Sequence, residues 1–259
     1  MKFCLHSRVS GNYLAKADEI KVDTRDYNSI PDLFEKYPDK DIVLELFHKD
    51  NVSWDELQRW VILGKGHLIL CLDKPEDIRK AQDINARYYL GYPVTSYFEL
   101  QALLFHNVEY VVVGMPLFFE TKKLQSFETK FRCIPNVAYI DGIWRQDGVC
   151  GQWIRPEDLD LYEDIFDVIE FSHVKVENEE ALYRIYAEQH EWPGELGMII
   201  TNLNYYGENR MLQRTLTESR MNCGQRCQSG GACQICYRSL NLANPEHIKA
   251  YLEETKDRN

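Results

Sequence analysis

The stretches DIVLELF (41–47), SWDELQRWVILG (53–64) and HLILCLD (67–73) decide the fold. The first and third are short, nearly continuous apolar runs, as expected for parallel strands that are buried on both faces. The middle stretch carries apolar residues at three- and four-residue spacing, and Ser53 is followed three residues later by Glu56, which predicts a capped amphipathic helix. A helix between two buried strands predicts a βαβ unit with parallel strands.

The same alternation continues on both sides of this unit. Eight apolar runs lie at 17–23, 41–47, 67–73, 86–92, 110–115, 136–141, 167–173 and 196–204. Helical patterns such as SIPDLFEKY and PEDIRKAQDIN separate them. Eight β-α units close into a barrel, so we predict an α/β fold with a TIM-like (β/α)8 barrel over residues 1–204. An open doubly wound sheet is the alternative, and the stretch 115–133 fits either a helix or a long loop.

Composition narrows the function classes. The 259 residues are 44% hydrophobic and 12% aromatic, which is enough for a large core, and 30 basic against 41 acidic residues give a net charge of −11. This acidity excludes a protein whose whole surface binds nucleic acid, although it leaves room for a local basic patch. No apolar run approaches the roughly 18 residues of a spanning helix, and the N-terminus lacks a signal-peptide core. We therefore expect a soluble, cytoplasmic protein without a membrane partner.

After Asn204 the pattern changes, and residues 205–259 are predicted to form a Cys-rich extension that ends in a short helix at 244–255. Its four clustered cysteines, spaced Cys-x3-Cys-x5-Cys-x2-Cys among glycines, are Cys223, Cys227, Cys233 and Cys236. A reducing compartment disfavours disulfides, and thiolates are soft ligands that select zinc or iron–sulfur clusters. The pattern predicts a metal site, and the spacing leaves a [4Fe–4S] cluster and zinc both open.

Catalytic candidates follow from the rule that reactive groups of a parallel barrel collect where its strands end. The loop DGIWRQDGVCGQWIRPEDL (141–159) is rich in Gly, Trp, Arg and Asp, and it contains Asp141, Cys150 and Arg155. An arginine there could grip an anionic or planar substrate. His173 follows a later run, and histidine titrates near neutral pH. For each residue a structural role is the alternative.

A barrel with a Cys-bearing loop after a late strand and a cysteine group near the C-terminus resembles the collagenase-like peptidase superfamily (family U thirty-two). That family includes oxygen-independent hydroxylases of ubiquinone precursors and of RNA bases. The resemblance implies a (β/α)8 barrel and a [4Fe–4S] cluster held by four cysteines. It covers residues 1–204 in architecture and the clustered cysteines in composition.

Two functions are compatible with these patterns. The first is an iron–sulfur enzyme of the oxygen-independent hydroxylase type, which acts on a small or nucleobase-like substrate at the barrel mouth. The second is a non-catalytic, zinc-stapled binding protein whose tail contacts nucleic acid or an acidic protein through Arg210, Arg214, Arg220 and Arg226. Peptidase activity is not predicted, because the sequence shows no Ser-His-Asp or His-Glu-x-x-His arrangement.

Overall fold

Eight parallel strands form a closed ring in which each strand pairs with the next along the chain and the last pairs with the first. The computed structural model describes residues 1–47, 52–114, 117–134, 154–171, 176–187, 214–221 and 223. The strands are β1 (Lys2–His6), β2 (Glu19–Asp23), β3 (Asp41–Glu45), β4 (Leu68–Leu72), β5 (Arg87–Val94), β6 (Val111–Val113), β7 (Phe131–Cys133) and β8 (Val168–Glu170). This is the predicted TIM-like (β/α)8 fold, and the pairing of β8 with β1 rules out the open sheet.

Short helices connect the strands on the outside of the ring. They are α1 (Gly11–Leu14), α2 (Ile30–Lys36), α3 (Trp54–Leu63), α4 (Ile78–Asp83), α5 (Tyr97–Leu104) and α6 (Thr121–Leu124), with α7 (Val176–Ala187) after β8 and α8 (Arg214–Arg220) further on. Single 3-10 segments lie at Thr24–Ser29, Pro75–Asp77, Leu117–Phe119 and Pro156–Tyr162. The predicted capping box starts α3: the Glu56 N–H donates to Ser53 Oγ at 3.2 Å, and the Ser53 N–H donates to the Glu56 carboxylate at 3.0 Å.

The ring uses six of the eight predicted runs, and it replaces the other two. β1 and β7 were not predicted, and the ring is complete within residues 2–170. The runs 136–141 and 196–204 lie outside the described residues, and the eight strands that close the ring do not include them. The physical reason is that β1 and β7 place polar side chains inside the barrel, which hides the apolar signature of a buried strand.

Side chains alternate between two layers of the barrel wall, as the period of a strand requires. One set, such as Leu44, Leu70 and Leu90, packs against the helices. The other set points inward, and over β3–β6 it is largely uncharged. We call its members the apolar half of the interior: Val43, Ile69, Cys71, Tyr89 and Val112.

Candidate active site

Four charged side chains lie inside the ring beside the apolar half. We call them the charged half: Glu19 and Lys21 of β2, Arg132 of β7 and Glu170 of β8, each at most 2% exposed. One Arg132 nitrogen donates to Glu170 at 2.8 Å, and another donates to Glu19. Lys21 donates to the second oxygen of Glu170 at 2.6 Å. Because β1 separates β8 from β2, these contacts cross the inside of the ring rather than its surface.

Two tyrosines complete the environment of Arg132. Its guanidinium carbon lies 4.7 Å from the ring centre of Tyr89 and 4.9 Å from that of Tyr110. The Tyr110 hydroxyl donates to Glu19 at 2.7 Å. Cation–π contact and hydrogen bonds together offset the cost of removing the charge from water. Burial alone would lower the pKa of Arg132, yet Glu19 and its other neighbours hold it well above the usual value.

The charged half reaches the C-terminal mouth of the barrel through Lys21 and Glu45. The Lys21 ammonium lies 3.0 Å from the carboxylate of Glu45, the last residue of β3, whose side chain is 17% exposed. Burial works to lower the pKa of Lys21, but Glu170 and Glu45 hold it well above its usual range. The amine therefore stays protonated, and it serves as a hydrogen-bond donor and a positive charge rather than as a nucleophile.

A carboxyl group with a pKa near neutrality lies above this pair. Glu179 of α7 is 1% exposed and accepts a hydrogen bond from the backbone N–H of His6, at the end of β1. Burial raises the pKa of Glu179 to about 7, against the opposing effect of the His6 N–H. Burial, Arg8 and Lys21 lower the pKa of the His6 imidazole. The mouth thus holds one group, Glu179, that can exchange protons near pH 7, beside an imidazole that stays neutral to lower pH than usual.

Asp23, at the end of β2, carries a fixed charge at the same rim. Arg25 donates to both of its carboxylate oxygens, and the Arg25 backbone N–H donates to it at 2.8 Å. These hydrogen bonds lower the pKa of Asp23 to about 2. Asp23 therefore remains ionised through the neutral range, while Glu179 does not.

Among the predicted catalytic residues only Arg155 lies in the described part of the chain. It is buried, directly before the 3-10 segment Pro156–Tyr162, and its guanidinium lies 3.4 Å from Asp158 and 3.6 Å from Glu157. Its charge is thus compensated within its own segment. Asp141, Cys150 and His173 lie outside the described residues.

The segment before the clustered cysteines docks on the barrel. Arg214 of α8 donates to both oxygens of Asp160, at 2.8 and 2.7 Å, and Thr217 donates to the buried Asp158. The Thr121 N–H and hydroxyl, at the start of α6, both donate to the Met221 carbonyl, at 3.2 and 3.0 Å. The helix that follows a barrel strand starts on the mouth side, so these bonds hold Met221 toward that side.

Burial of Arg220 changes the expected basic patch. Arg220 is 1% exposed, and its guanidinium carbon lies 5.2 Å from the ring centre of Phe119. A side chain buried in this way does not support the expected contact of Arg220 with nucleic acid or an acidic protein, and that contact stays a prediction. Arg214 is partly exposed but is paired with Asp160 and Glu218. The other two arginines of that patch, 210 and 226, lie outside the described residues.

Cys223 is the one clustered cysteine in the described part of the chain. Its backbone N–H donates to the Arg220 carbonyl at 3.2 Å, and its half-buried side chain packs against the main hydrophobic core. The other clustered cysteines, Cys227, Cys233 and Cys236, lie outside the described residues. Within the described ranges no group of three or more His, Cys, Asp or Glu side chains could hold a metal ion.

Three further cysteines are buried thiols: Cys4 and Cys71 inside the ring, and Cys133 at the end of β7. Burial raises the pKa of Cys71 to about 11, and it raises the pKa of Cys4 and Cys133 further above the usual range. They stay neutral at physiological pH, which suits a packing role in the interior.

Sequence reasoning missed the charged half. Its signal is present in EIKVD (19–23), where acidic, basic and acidic residues alternate at the positions that face one side of a strand. A second signal, Arg132, sits in a stretch whose structure the pattern left open. Whether the charged residues of β2 pair with Arg132 depends on which strands face each other across the ring. That is a property of the closed barrel rather than of any local motif.

The described part of the chain contains no helix long and apolar enough to cross a membrane. No family model and no curated protein matches the sequence. A solved structure described as native KDPGal is 11% identical, with a TM-score of 0.46 over 72% of this chain and 92% of that one. A cube-shaped, highly porous protein cage designed by fusing symmetric oligomeric domains is 12% identical, with a TM-score of 0.43 over 98% and 84%. The fold assignment therefore stands on the strand order of the ring itself.

Proposed function

We propose that this chain is an enzyme whose active site is the C-terminal mouth of its barrel. The supporting observation is the buried Lys21–Glu170 pair, which continues to Glu45 at the strand ends. A barrel core that serves stability alone is filled by apolar side chains, whereas buried ion pairs carry a desolvation cost that replacement by apolar residues removes. Such a pair beneath a carboxyl group with a shifted pKa is typical of catalytic sites.

The proposed cofactor is a [4Fe–4S] cluster held by Cys223, Cys227, Cys233 and Cys236, with zinc as the alternative. Four thiolates are the ligand set that both centres use. The position of Cys223 supports the proposal, because its half-buried side chain packs on the core of the barrel. When bound, the cluster would supply one-electron transfer.

The proposed reaction is oxygen-independent hydroxylation of a small or nucleobase-like substrate, as the family resemblance implies. Replacing a carbon-bound hydrogen by a hydroxyl group taken from water releases two protons and two electrons, so the reaction requires an external electron acceptor, and the site needs groups that take up and release protons near neutral pH. Glu179, with a pKa of about 7, meets this requirement. The Lys21 ammonium favours negative charge that develops at the mouth, and the ionised Asp23 favours positive charge at its rim.

The remaining sequence candidates fit this proposal by position. β7 ends at Cys133, so the chain that leads to Asp141 and Cys150 leaves the ring on the mouth side. His173 follows the last residue of β8 by three positions. We propose that Asp141, Cys150 and His173 add to the site. We also propose that Arg155 orients the segment that leads from Cys150 to β8.

The test is metal analysis of protein prepared anaerobically. We expect about four iron and four sulfide per chain and the broad visible absorption of a thiolate-bound cluster. Cys227→Ser should abolish both, whereas Cys71→Ser, which removes a thiol inside the ring, should leave them intact. Stoichiometric zinc in a colourless sample would overturn the iron–sulfur enzyme and favour the zinc-stapled binding protein.

A further inference from the structure

Two unlike side chains reach the mouth from the end of β3. The strand ends at Glu45, but the Leu46 N–H still donates to the Cys71 carbonyl of β4 at 2.9 Å, so the chain stays extended there. Side chains of an extended chain alternate between faces, and Leu46 belongs to the layer that packs against the helices. Glu45 pairs with Lys21 inside the ring, and Phe47 packs on the interior cluster. One strand end thus gives the mouth a carboxylate and a phenyl ring.

A glycine of β5 makes room for the phenyl ring. A Cβ added at Gly91 would lie 2.5 Å from Cζ and 3.0 Å from Cε1 of Phe47. One edge of the ring therefore lies directly against the β5 backbone, which fixes its position over the interior. Phe47 is nevertheless only half-buried. An aromatic ring that is held along one edge and keeps part of its surface exposed can serve as a platform on which a planar group stacks.

The carboxylate of Glu45 is held in place by the charged half. The Lys21 ammonium lies 3.0 Å from Glu45 Oε1 and donates to Glu170 at 2.6 Å, and Arg132 donates to Glu170 at 2.8 Å. A carboxylate accepts hydrogen bonds at about four positions, and Lys21 uses one of them. Since the Glu45 side chain is 17% exposed at the mouth, its carboxylate is an oriented acceptor that a ligand can reach.

A planar platform two residues from an oriented acceptor selects a recognisable chemical class. Stacking tolerates any flat aromatic ring, whereas a carboxylate distinguishes rings by the N–H donors on their edge. We propose that Phe47 and Glu45 determine the specificity of the mouth. The ligand is a planar nitrogen heterocycle whose ring stacks on Phe47 and whose amino group donates to Glu45, as an amino-substituted nucleobase can. This inference deepens the proposed function and rests on it for the choice of the mouth as the substrate site.

The experiment is a calorimetric titration of the full chain, prepared anaerobically, with three pairs of probes. The members of each pair differ in one amino group: adenine and purine, cytosine and 2-pyrimidinone, guanosine and inosine. The last pair carries a ribose, so it separates a nucleoside from a free base as the ligand. We expect at least one amino compound to bind about tenfold more tightly than its partner, because it alone donates that hydrogen bond to a charged acceptor.

Two variants and a control assign the two contacts. Glu45→Gln keeps a carbonyl oxygen for Lys21 but turns an NH₂ donor toward the ligand, so the advantage of the amino compound should disappear. Phe47→Leu keeps an apolar side chain without the ring, so both members of the preferred pair should bind about tenfold more weakly. The control is Phe98→Leu, since Phe98 lies on α5 and is 82% exposed, and its affinities should equal those of the wild type.

Equal or absent binding within all three pairs would overturn the inference. A preference that survives in Glu45→Gln would overturn it too, as would unchanged affinities in Phe47→Leu. Thermal unfolding shows whether each variant is folded, and if Phe47→Leu is not, the comparison of the wild type with Glu45→Gln still decides. Iron analysis of the same samples keeps the two proposals apart. Iron without selectivity overturns this inference alone, whereas selectivity without iron overturns the iron–sulfur enzyme and leaves the binding site standing.

Discussion

The two halves of the barrel interior are built on opposite principles. In the apolar half, Val43, Ile69 and Val112 are held by close packing, so a substitution that changes side-chain volume there produces strain or a cavity. In the charged half, Arg132 and Lys21 are held by carboxylates, and every member depends on partners from other strands. Burial of the apolar half carries no electrostatic cost. Burial of the charged half costs desolvation free energy, which is offset only while every charge keeps its partner. That contrast separates the part of the barrel that is a core from the part that is a candidate site.

The largest expected effect comes from breaking the charged half. Arg132→Met leaves Glu19 and Glu170 buried with only Lys21 to compensate them, so we expect the free energy of unfolding to fall by about 3–5 kcal/mol. Urea denaturation of the two proteins at pH 7 measures this loss. The matched control is Arg214→Met, which breaks a partly exposed pair with Asp160 and should cost less than about 1 kcal/mol. Equal losses for the two variants would contradict the contrast between a buried network and a surface pair.

The next effect is a pH dependence at the mouth. The pKa of Glu179 is about 7 in the folded protein and about 4.5 in the unfolded chain, so the folded state binds more protons between these values. Stability therefore falls as pH rises from about 4.5 to 7 and is then constant, with a total loss of up to about 3 kcal/mol from this group. Glu179→Gln, which keeps an acceptor for the His6 N–H, should lack this loss.

Denaturation curves of the wild type and Glu179→Gln, recorded from pH 4 to 8, give the difference directly. The variant should gain on the wild type as pH rises, while Glu180→Gln, one residue along and partly exposed, should follow the wild type. A difference that stays flat across this range would show that Glu179 ionises at its ordinary pKa.

The smallest of the three effects tests packing in the apolar half. A Cβ added at Gly91 of β5 would lie 2.5 Å from Cζ of Phe47 and 2.6 Å from Sγ of Cys71. Gly91→Ala should therefore destabilise the protein by about 1–3 kcal/mol, because side chains must shift in a closely packed space. Gly11→Ala is the control, since its nearest neighbours would lie 3.6 Å away. Thermal unfolding of the two variants checks the prediction, and a harmless Gly91→Ala would mean that the interior is loosely packed there.

The same contrast explains what the sequence could predict. Strands of the apolar half, such as β3 and β4, are continuous apolar runs with clear helix signals between them, and this pattern is visible locally. β7 is only three residues long and has Arg132 at its centre, while β1 places Cys4 and His6 among apolar neighbours. Such strands lack a long apolar run, because polar residues interrupt or flank them, and only closure of the ring identifies them.

The candidate site was predictable only where its signal is local. Cysteine spacing is local, so the pattern of residues 223–236 is enough to predict a metal site, and that site stays a prediction. The contact between Lys21 and Glu170 joins residues 149 positions apart, and the local sequence around either residue does not predict the other as its partner. Glu179 reads as an ordinary helix residue, since its raised pKa comes from burial beside β1.

Pairing over such separations has a consequence for how the chain acquires its structure. During synthesis, Arg132 is added 113 residues after its partner Glu19, and Glu170 is added 149 residues after its partner Lys21. A half-barrel of the first four strands would bury both groups without their counter-ions or leave them in water with the ring unclosed. Neither arrangement is favourable, so stable half-barrel intermediates are disfavoured and the ring is expected to assemble in one cooperative step late in synthesis, with the N-terminal strands unable to persist as an independent fragment.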